Sequence, residues 1–540
     1  MFRSTEQANF SAIVARHMAS PDGPLLMEGA TGLGKTRAYL AAVMRVAAAG
    51  RRVAIAMPSH QLIDQLLTSA DLAATQVDSV RVLAFRPSRF LDDKKEYQTQ
   101  RTATLEAEVM VCTSASVIID QRLKGGYNGA TERDYLVFDE ADQLPDAAAL
   151  QSDCEISAQQ LSDLGVAVQS AQQAATEVLM KKGLEPEVRA AALMILEAVQ
   201  EPAWYHKAGV TDDGGIALFH KMPGRLLKRI ANRNQVAFIS ATLTVGDRFD
   251  DFKRALGIQK QSDLSSIIEP QRHGQLTFVV ADAEVDTPEW RGLTQATINQ
   301  AAGKGTVLVV TPSHSLAQEL GQLVDGATVR SAAETATEAA ARMGDSNVLI
   351  AAGAWAGLDT PIRWKSIVVP RVPYERPVIL DGEVESSFLD TRNTAVRRLR
   401  QVIGRGLRTP EAECTIYVLD RRYRNVEAFI PKRFRAQWAG RLYLEGRRNE
   451  VTLSKIERDP SVRKAALKHY GLKCMGCGFI PRVESQLDVH HLNPVAGGER
   501  LTGIRDVAVL CANCHRLVHS TDPPMAVETL GDLGATGGSA

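Results

Sequence analysis

A chain of 540 residues exceeds what one hydrophobic core can fill, so several domains are expected. Hydrophobic residues are 45% and charged residues 23% of the chain, which excludes wholesale disorder. Lys and Arg total 63, as do Asp and Glu, so any polyanion must be met by local patches and not by overall charge. The N-terminal MFRSTEQANF lacks the apolar stretch of a secretory signal, and no run is long enough to span a membrane. A cytoplasmic protein with no membrane partner is expected.

Residues 24–144 alternate short apolar runs with helical patterns. PLLMEG, VAIAMP, VMVCTS and YLVFDE have the unbroken apolar character of buried parallel strands, and TRAYLAAVMRVAAAG that of an amphipathic helix. The first strand leads into GATGLGKT, Gly29 to Thr36, which fits G-x-x-x-x-G-K-[ST]. Gly29, Gly32 and Gly34 let the backbone curl so that its N–H groups face phosphates. Lys35 would pair with the β and γ oxygens of ATP, and Thr36 would ligate Mg²⁺. The following helix adds the positive end of its dipole. YLVF runs into Asp139–Glu–Ala–Asp142, where Asp139 would hold Mg²⁺ and Glu140 would polarise the attacking water. A solvated acidic helix start is the plainer explanation of such a tetrapeptide, but its place after a buried strand and downstream of a phosphate loop weakens that explanation.

Residues 146–232 are rich in Ala, Gln and Glu with helical periodicity, which predicts a mostly helical insertion in a first α/β domain made of 1–145 and 233–270. VAFISAT resumes the strands, and Ser240 to Leu243 (SATL) has the position of an element coupling hydrolysis to domain movement. LTFVVAD, TVLVVTP, NVLIAAG, SIVVPRV and TIYVLD predict a second parallel sheet in 271–448. Between the last two lies QVIGRGLR, fitting Q-x-x-G-R-x-x-R. Gln401 would contact nucleotide, and Arg405 and Arg408 would reach across a cleft to the phosphates. Arg and Lys interleave with Tyr423, Phe429, Phe434 and Trp438 over 421–448. Such a stretch could track a phosphate backbone, although core packing is the more economical reading.

EGATGLGKT, MPSHQLIDQLL, YLVFDEAD, FISATLT, GAWAGLDTP and QVIGRGLRTP followed by VLDRR, in that order, resemble the DinG/XPD group of superfamily 2 helicases over roughly residues 1–440. The resemblance implies two RecA-like domains, an arch domain at 146–232, and 5′→3′ movement on single-stranded DNA. It also implies a W-x-G-x-D element at Trp355, Gly357 and Asp359. Gln7 would read adenine, although Arg3 lies one residue too far away for the usual R-x-x-Q spacing. Many members hold an iron–sulfur cluster on four cysteines between the phosphate loop and the acidic tetrapeptide. Only Cys112 lies there, so no cluster is expected.

Of the seven cysteines, Cys474, Cys477, Cys511 and Cys514 form two CxxC pairs, a tetrahedral Zn²⁺ set. His490 and His491 end an apparent strand, QLDVHH, while His515 and His519 share one helix face. Three histidines from a strand and a helix can hold one catalytic divalent ion, leaving the fourth to activate water. ERDPSVRKAALKHYGLKCMGCG, LDVHHLNPVAGGE and DVAVLCANCHRLVH resemble the HNH, or ββα-metal, nucleases over 457–519. By that resemblance His491 is the general base, and His490, His515 and His519 bind Mg²⁺ or a similar ion. Asp506 takes the place of the middle Asn, to orient the base or touch the metal, with Asn513 as an alternative. Residues 449–519 would form a linker helix and this domain, and 520–540 a disordered tail.

The whole chain resembles the DinG–HNH fusion proteins of type IV-A CRISPR systems. That implies a monomer recruited by an RNA-guided complex to the displaced strand of an R-loop. A stand-alone repair or restriction helicase–nuclease working at duplex forks, and a translocase whose HNH domain only binds DNA, are the alternatives.

Overall fold

Apolar runs that stay hydrophobic on both faces form strands only where helices cover both sides of a sheet. The computed structural model shows two such sheets. It describes residues 2–87, 94–233, 235–258, 264–271, 274–407, 409, 411–431, 438–441, 460–492, 502–521 and 523–530. The chain divides into two units, Met1–Leu444 and Glu445–Ala540.

In the first unit, β1 (Leu25–Gly29), β2 (Val53–Met57), β3 (Val82–Ala84), β4 (Val109–Thr113) and β5 (Tyr135–Phe138) precede the insertion. The insertion contains β6 (Cys154–Ile156), β7 (His206–Val210) and β8 (Ile216–His220), and β9 (Val236–Ser240) and β10 (Ser265–Ile268) follow it. The first sheet is parallel, in the order β10-β1-β9-β5-β2-β4-β3. Its register sets Glu28 level with Ser240 and Phe138 level with Phe238. The segments leaving β1, β9 and β5, which carry the phosphate loop, SATL and the acidic tetrapeptide, therefore emerge side by side. This is the edge where open α/β sheets place ligands. The Phe138 and Phe238 rings stack at 5.3 Å beneath them.

The second sheet is built from β11 (Gln275–Val280), β12 (Val307–Thr311), β13 (Thr328–Val329), β14 (Val348–Ala352), β15 (Ser366–Val369), β18 (Glu413–Val418) and β19 (Trp438–Arg441). A small hairpin, β16 (Ile379–Leu380) and β17 (Glu383–Val384), lies outside it. The order is β13-β14-β12-β15-β18-β11-β19, again parallel. Helix Phe388–Arg405 buries Ala395, Val396, Leu399, Val402 and Ile403, which seat it on this domain. Both RecA-like domains are thus present.

The insertion is mostly helical, with helices Ala158–Asp163, Ala171–Met180 and Pro186–Gln200 around a core that includes Leu161, Val178 and Ile195. It also holds an antiparallel sheet, β6-β8-β7, which the composition did not suggest. Its hairpin turns through Gly214 at φ 89°, in the left-handed region that glycine favours. This hairpin docks on β16–β17 of the second domain. Asp381 N–H donates to Val210 O at 2.8 Å, Val210 N–H donates back to the Asp381 carboxylate at 2.9 Å, and Lys221 pairs with Glu385 at 2.8 Å. A Cβ on Gly209 would lie 2.6 Å from the Asp381 carboxylate, so a larger residue there would displace this side chain.

The second unit pairs β20 (Leu487–His491) antiparallel with β21 (Val507–Cys511) and follows it with helix Ala512–Val518. Helix Pro460–Tyr470 packs on this ββα core through Ala466 and Leu467. The expected linker at 449–459 lies outside the described residues. Within the expected tail, Val527 and Leu530 are buried in this core, and residues 531–540 lie outside the described residues. Two apolar side chains four positions or fewer apart can anchor a polar segment that composition alone marks as disordered.

Candidate active sites

β1 ends at Gly29, where a Cβ would press within 3.0 Å of Lys35, Phe10 and Leu33. The loop then turns through Gly32 and Gly34, at φ 84° and 76°, into helix Lys35–Ala48. Gln7 lies behind this loop, fully buried. Its Nε2 donates to Gly34 O at 2.9 Å, and its Oε1 accepts from Arg3 N–H at 2.7 Å. The residue expected to read adenine braces the phosphate loop from behind. Thr36 is the second residue of the helix.

Asp139 and Glu140 leave β5 together. Tyr39 OH and the Glu140 N–H both donate to the Asp139 carboxylate, at 2.8 and 2.9 Å. Glu140 sits at φ 46°, a left-handed conformation that costs a non-glycine residue about 1–3 kcal/mol. Its carboxylate lies 3.1 Å from Ser240 Oγ. Burial, with the neighbouring Glu140 charge second, pushes the Asp139 carboxyl up to about 6, against the pull of Lys35. The same two causes push Asp142 up to about 7.

Asp142 is the hub of the contacts that join the domains. Ser240 Oγ and Thr242 Oγ1 donate to it from the first domain, at 2.5 and 2.8 Å. Gln401 Nε2 donates to it from the second domain, at 2.5 Å. One turn further along the same helix, a Cβ on Gly404 would lie 2.5 Å from Thr31 Oγ1 of the phosphate loop, which explains the glycine in Q-x-x-G-R. Between the two domains lies a cleft of about 470 Å³ lined by Thr31, Gly32, Lys35, Glu140, Gln401 and Arg405, with Trp355, Gly357 and Asp359 on its far wall.

Arg405 lines this cleft and also bonds carbonyls of its own domain. It donates to Ala354 O at 3.0 Å, to Trp355 O at 2.9 Å and to Leu358 O. It therefore clamps the W-x-G-x-D loop with three of the five N–H donors of its guanidinium. Arg408 lies outside the described residues. Of the basic aromatic stretch, Tyr423 is buried and Phe429 packs on the second core beneath the Arg392 guanidinium. Phe434 and the side chain of Trp438 lie outside the description. Cys112 sits inside β4, where burial pushes its thiol up to about 12.

A second link between the domains joins side chains to which the motifs had assigned no role. Glu28 and Arg400 are 1% and 3% exposed and form an ion pair at 2.6 Å. Thr244 N–H and Oγ1 donate to the Glu28 carboxylate at 2.6 and 2.9 Å, and Arg400 also donates to Thr244 O at 2.5 Å. Glu28 precedes the phosphate loop, Thr244 follows SATL, and Arg400 precedes Gln401. One buried ionic junction thus ties three motifs together.

In the second unit, the four cysteine sulfurs lie within 4.8 Å of one another. Cys477 and Cys511 are 3.8 Å apart, and a tetrahedron with Zn–S arms of about 2.3 Å has edges of about 3.8 Å. The set fits Zn²⁺. Burial opposes ionisation of Cys474, but backbone N–H donors outweigh it and bring this thiol down to about 7.

Alternation along β20 puts Asp488 and His490 on one face and His491 on the other. His490, His515 and His519 bring their ring nitrogens within 4.8 Å of one another, with ring centroids 4.9–5.4 Å apart. Nitrogens from a buried strand residue and one helix face suit a divalent ion. His515 Nδ1 is 3.3 Å from the Asp488 carboxylate, a contact that fixes the orientation of a ligating imidazole. Asp488 was not anticipated, although its place two residues before His490 signals the shared face. Asp506 turns into its own loop: its carboxylate accepts from Gly503 N–H at 2.7 Å and its carbonyl from Leu492 N–H at 3.0 Å. It closes the turn behind β20 and does not join the histidine cluster. Asn513 is exposed in the first turn of the last helix.

Comparison with known proteins agrees with both halves. The DEAD/DEAH box helicase family matches residues 11–179, the helicase C-terminal domain family matches 298–439, and the HNH endonuclease family matches 474–521. No curated protein matches the sequence. Among solved structures, an XPD helicase is 14% identical, with 81% of this chain and 99% of that one covered and a TM-score of 0.59. XPD in its apo form is 13% identical, covering 81% and 100%, with a TM-score of 0.57. Xpd4 of S. tokodaii is 13% identical, covering 81% and 100%, with a TM-score of 0.50. At this identity the likeness concerns the fold alone, and the family matches show that the chain carries DEAD/DEAH box helicase, helicase C-terminal and HNH endonuclease domains.

Proposed function

We propose that this protein is an ATP-dependent DNA helicase or translocase, moving 5′→3′ on single-stranded DNA, whose HNH domain cuts the DNA it meets. The observation that best supports the reading is the cleft where Lys35 and Glu140 of one RecA-like domain face Gln401 and Arg405 of the other. Lys35 and the N–H groups of the glycine loop hold the phosphates, and Thr36 and Asp139 take the Mg²⁺ that accompanies ATP. Glu140 orients the attacking water, its carboxylate 3.1 Å from Ser240 Oγ. Asp142 accepts hydrogen bonds from SATL and from Gln401, which ties the two domains together beside the cleft.

In the HNH domain, His490, His515 and His519 would hold a divalent ion, which when bound supplies positive charge at the scissile phosphate. His491 takes the proton from the attacking water. A motor that needs an open strand, joined to a nuclease whose free activity would be toxic, suits targeted DNA destruction. With the resemblance to DinG–HNH fusions, this favours a cytoplasmic protein delivered by a type IV CRISPR guide complex to the displaced strand of an R-loop.

The test is cleavage of a preformed R-loop, with ATP and Mg²⁺, by wild type, Lys35→Ala and His491→Ala. Wild type is expected to cut at and beyond the open strand, Lys35→Ala only near it, and His491→Ala not at all. Cutting by His491→Ala at the wild-type rate would overturn the nuclease assignment. An identical cleavage pattern for Lys35→Ala and wild type would overturn the coupling to ATP.

A further inference from the structure

At the root of the insertion, where β7 begins and β8 ends, Trp204 stands 71% exposed, far more than a tryptophan held only by packing. Tyr205 follows it, and its carbonyl accepts from Lys221 N–H at 2.9 Å, extending the β7–β8 ladder beyond the strands. The Arg225 guanidinium lies over both rings, 4.9 Å from the Trp204 centroid and 4.7 Å from that of Tyr205. Arg225 is not held by the aromatic rings alone. It belongs to the 3₁₀ turn Pro223–Leu227, whose Gly224 packs so tightly that a Cβ would lie 2.0 Å from Ala255 O of the first domain. A rigid floor therefore presents the cation.

That cation is incompletely satisfied. Arg225 Nη1 is buried and has no hydrogen-bond partner. Nor does His206 Nδ1, in the ring that stacks edge-on against Tyr205 at 4.9 Å and lies 5.5 Å from His220.

We propose that Trp204, Tyr205 and Arg225 form a contact for single-stranded DNA, with a base stacked on Trp204 and a backbone phosphate received by Arg225. An exposed indole offers a face to any base, and a guanidinium fixed beside it pairs with phosphate whatever the sequence. The contact is sequence-tolerant, as a translocating motor requires. The inference rests on the helicase reading above.

The test is binding of the full-length protein, without nucleotide, to fluorescent oligo(dT) and to an abasic oligomer of the same length, which keeps phosphates and lacks bases. Trp204→Ala is expected to weaken oligo(dT) binding about tenfold and leave the abasic oligomer unaffected. Arg225→Ala is expected to weaken both. Trp204→Phe and Arg225→Lys keep a ring and a charge and should recover most of each loss, which separates contact from misfolding. Wild-type affinity in both alanine variants would overturn this contact alone. Equal losses on both oligomers in Trp204→Ala would overturn the stacking. Failure of wild type to bind either oligomer would overturn the contact and the helicase reading together.

Discussion

In the nucleotide cleft, side chains that touch come from positions as distant as Glu28, Thr244 and Arg400, and each is held by a large core on its own domain. In the HNH domain, the cluster of His490, His515 and His519 and its support from Asp488 span about thirty residues on one ββα element. Its apolar core is small, and three of its buried members are cysteines of the sulfur set. The first site is preorganised by protein packing and a buried ionic junction. The second leaves much of that task to metal. Both prepare charge to meet phosphate, so the contrast concerns what holds each in shape, and it can be tested by removing the two supports in turn.

Removing the metal support should have the largest effect. Structural zinc contributes about 10–16 kcal/mol to folding in small domains, more than a core of this size can replace. Cys511→Ser is expected to abolish zinc binding and DNA cutting while leaving ATP hydrolysis near wild type. Zinc content per chain, measured beside both activities on the same preparation, checks it. Cutting that survives zinc loss would mean that the ββα element holds itself together.

The ionic junction in the cleft is expected to be next in size. Arg400→Met leaves Glu28 charged, buried and unpaired, at a cost of about 3–5 kcal/mol. Apolar replacement of both partners is often nearly neutral, so Glu28→Met with Arg400→Met should recover most of the lost melting temperature. The double variant should still hydrolyse ATP slowly, because the link between the phosphate loop and the Gln401 helix is gone. If single and double variants melt alike, the junction is not what locks the domains.

The strands of the two sheets that carry the sites were legible because burial on both faces leaves continuous runs such as VAIAM and VLVVT. Among the elements that escaped are β3, β10, β13 and β19, with four residues or fewer each, the β16–β17 hairpin and the β6-β7-β8 sheet. A short strand at the edge of a sheet needs neither an unbroken apolar run nor strict alternation. Motif spacing located Lys35, Glu140, Gln401, the cysteines and the histidines, because loops and helix turns fix the distances between neighbours in sequence. It could not find Glu28 or Arg400, whose meeting depends on strand order and on the closing of two domains. Nor could it tell that Arg405 would turn to the carbonyls of its own domain, or that Gln7 would brace the loop. Both side chains had competing acceptors that only the fold brings near.

Asp488 tests the finer part of the contrast, where the effect should be smallest. It shares a strand face with His490, two residues on, and its carboxylate reaches His515 Nδ1 at 3.3 Å. A carboxylate there fixes which ring nitrogen carries the proton and leaves the other free to ligate. Asp488→Asn keeps the shape but removes the charge, and loss of such a partner typically costs about 10–100-fold in metal affinity. The variant should therefore need correspondingly more Mg²⁺ for half-maximal cutting and approach the wild-type rate at saturation, with zinc content and ATP hydrolysis unmoved. A lowered maximal rate at unchanged Mg²⁺ requirement would place Asp488 on the reacting groups themselves. The HNH site would then be preorganised by protein charge, as the cleft is.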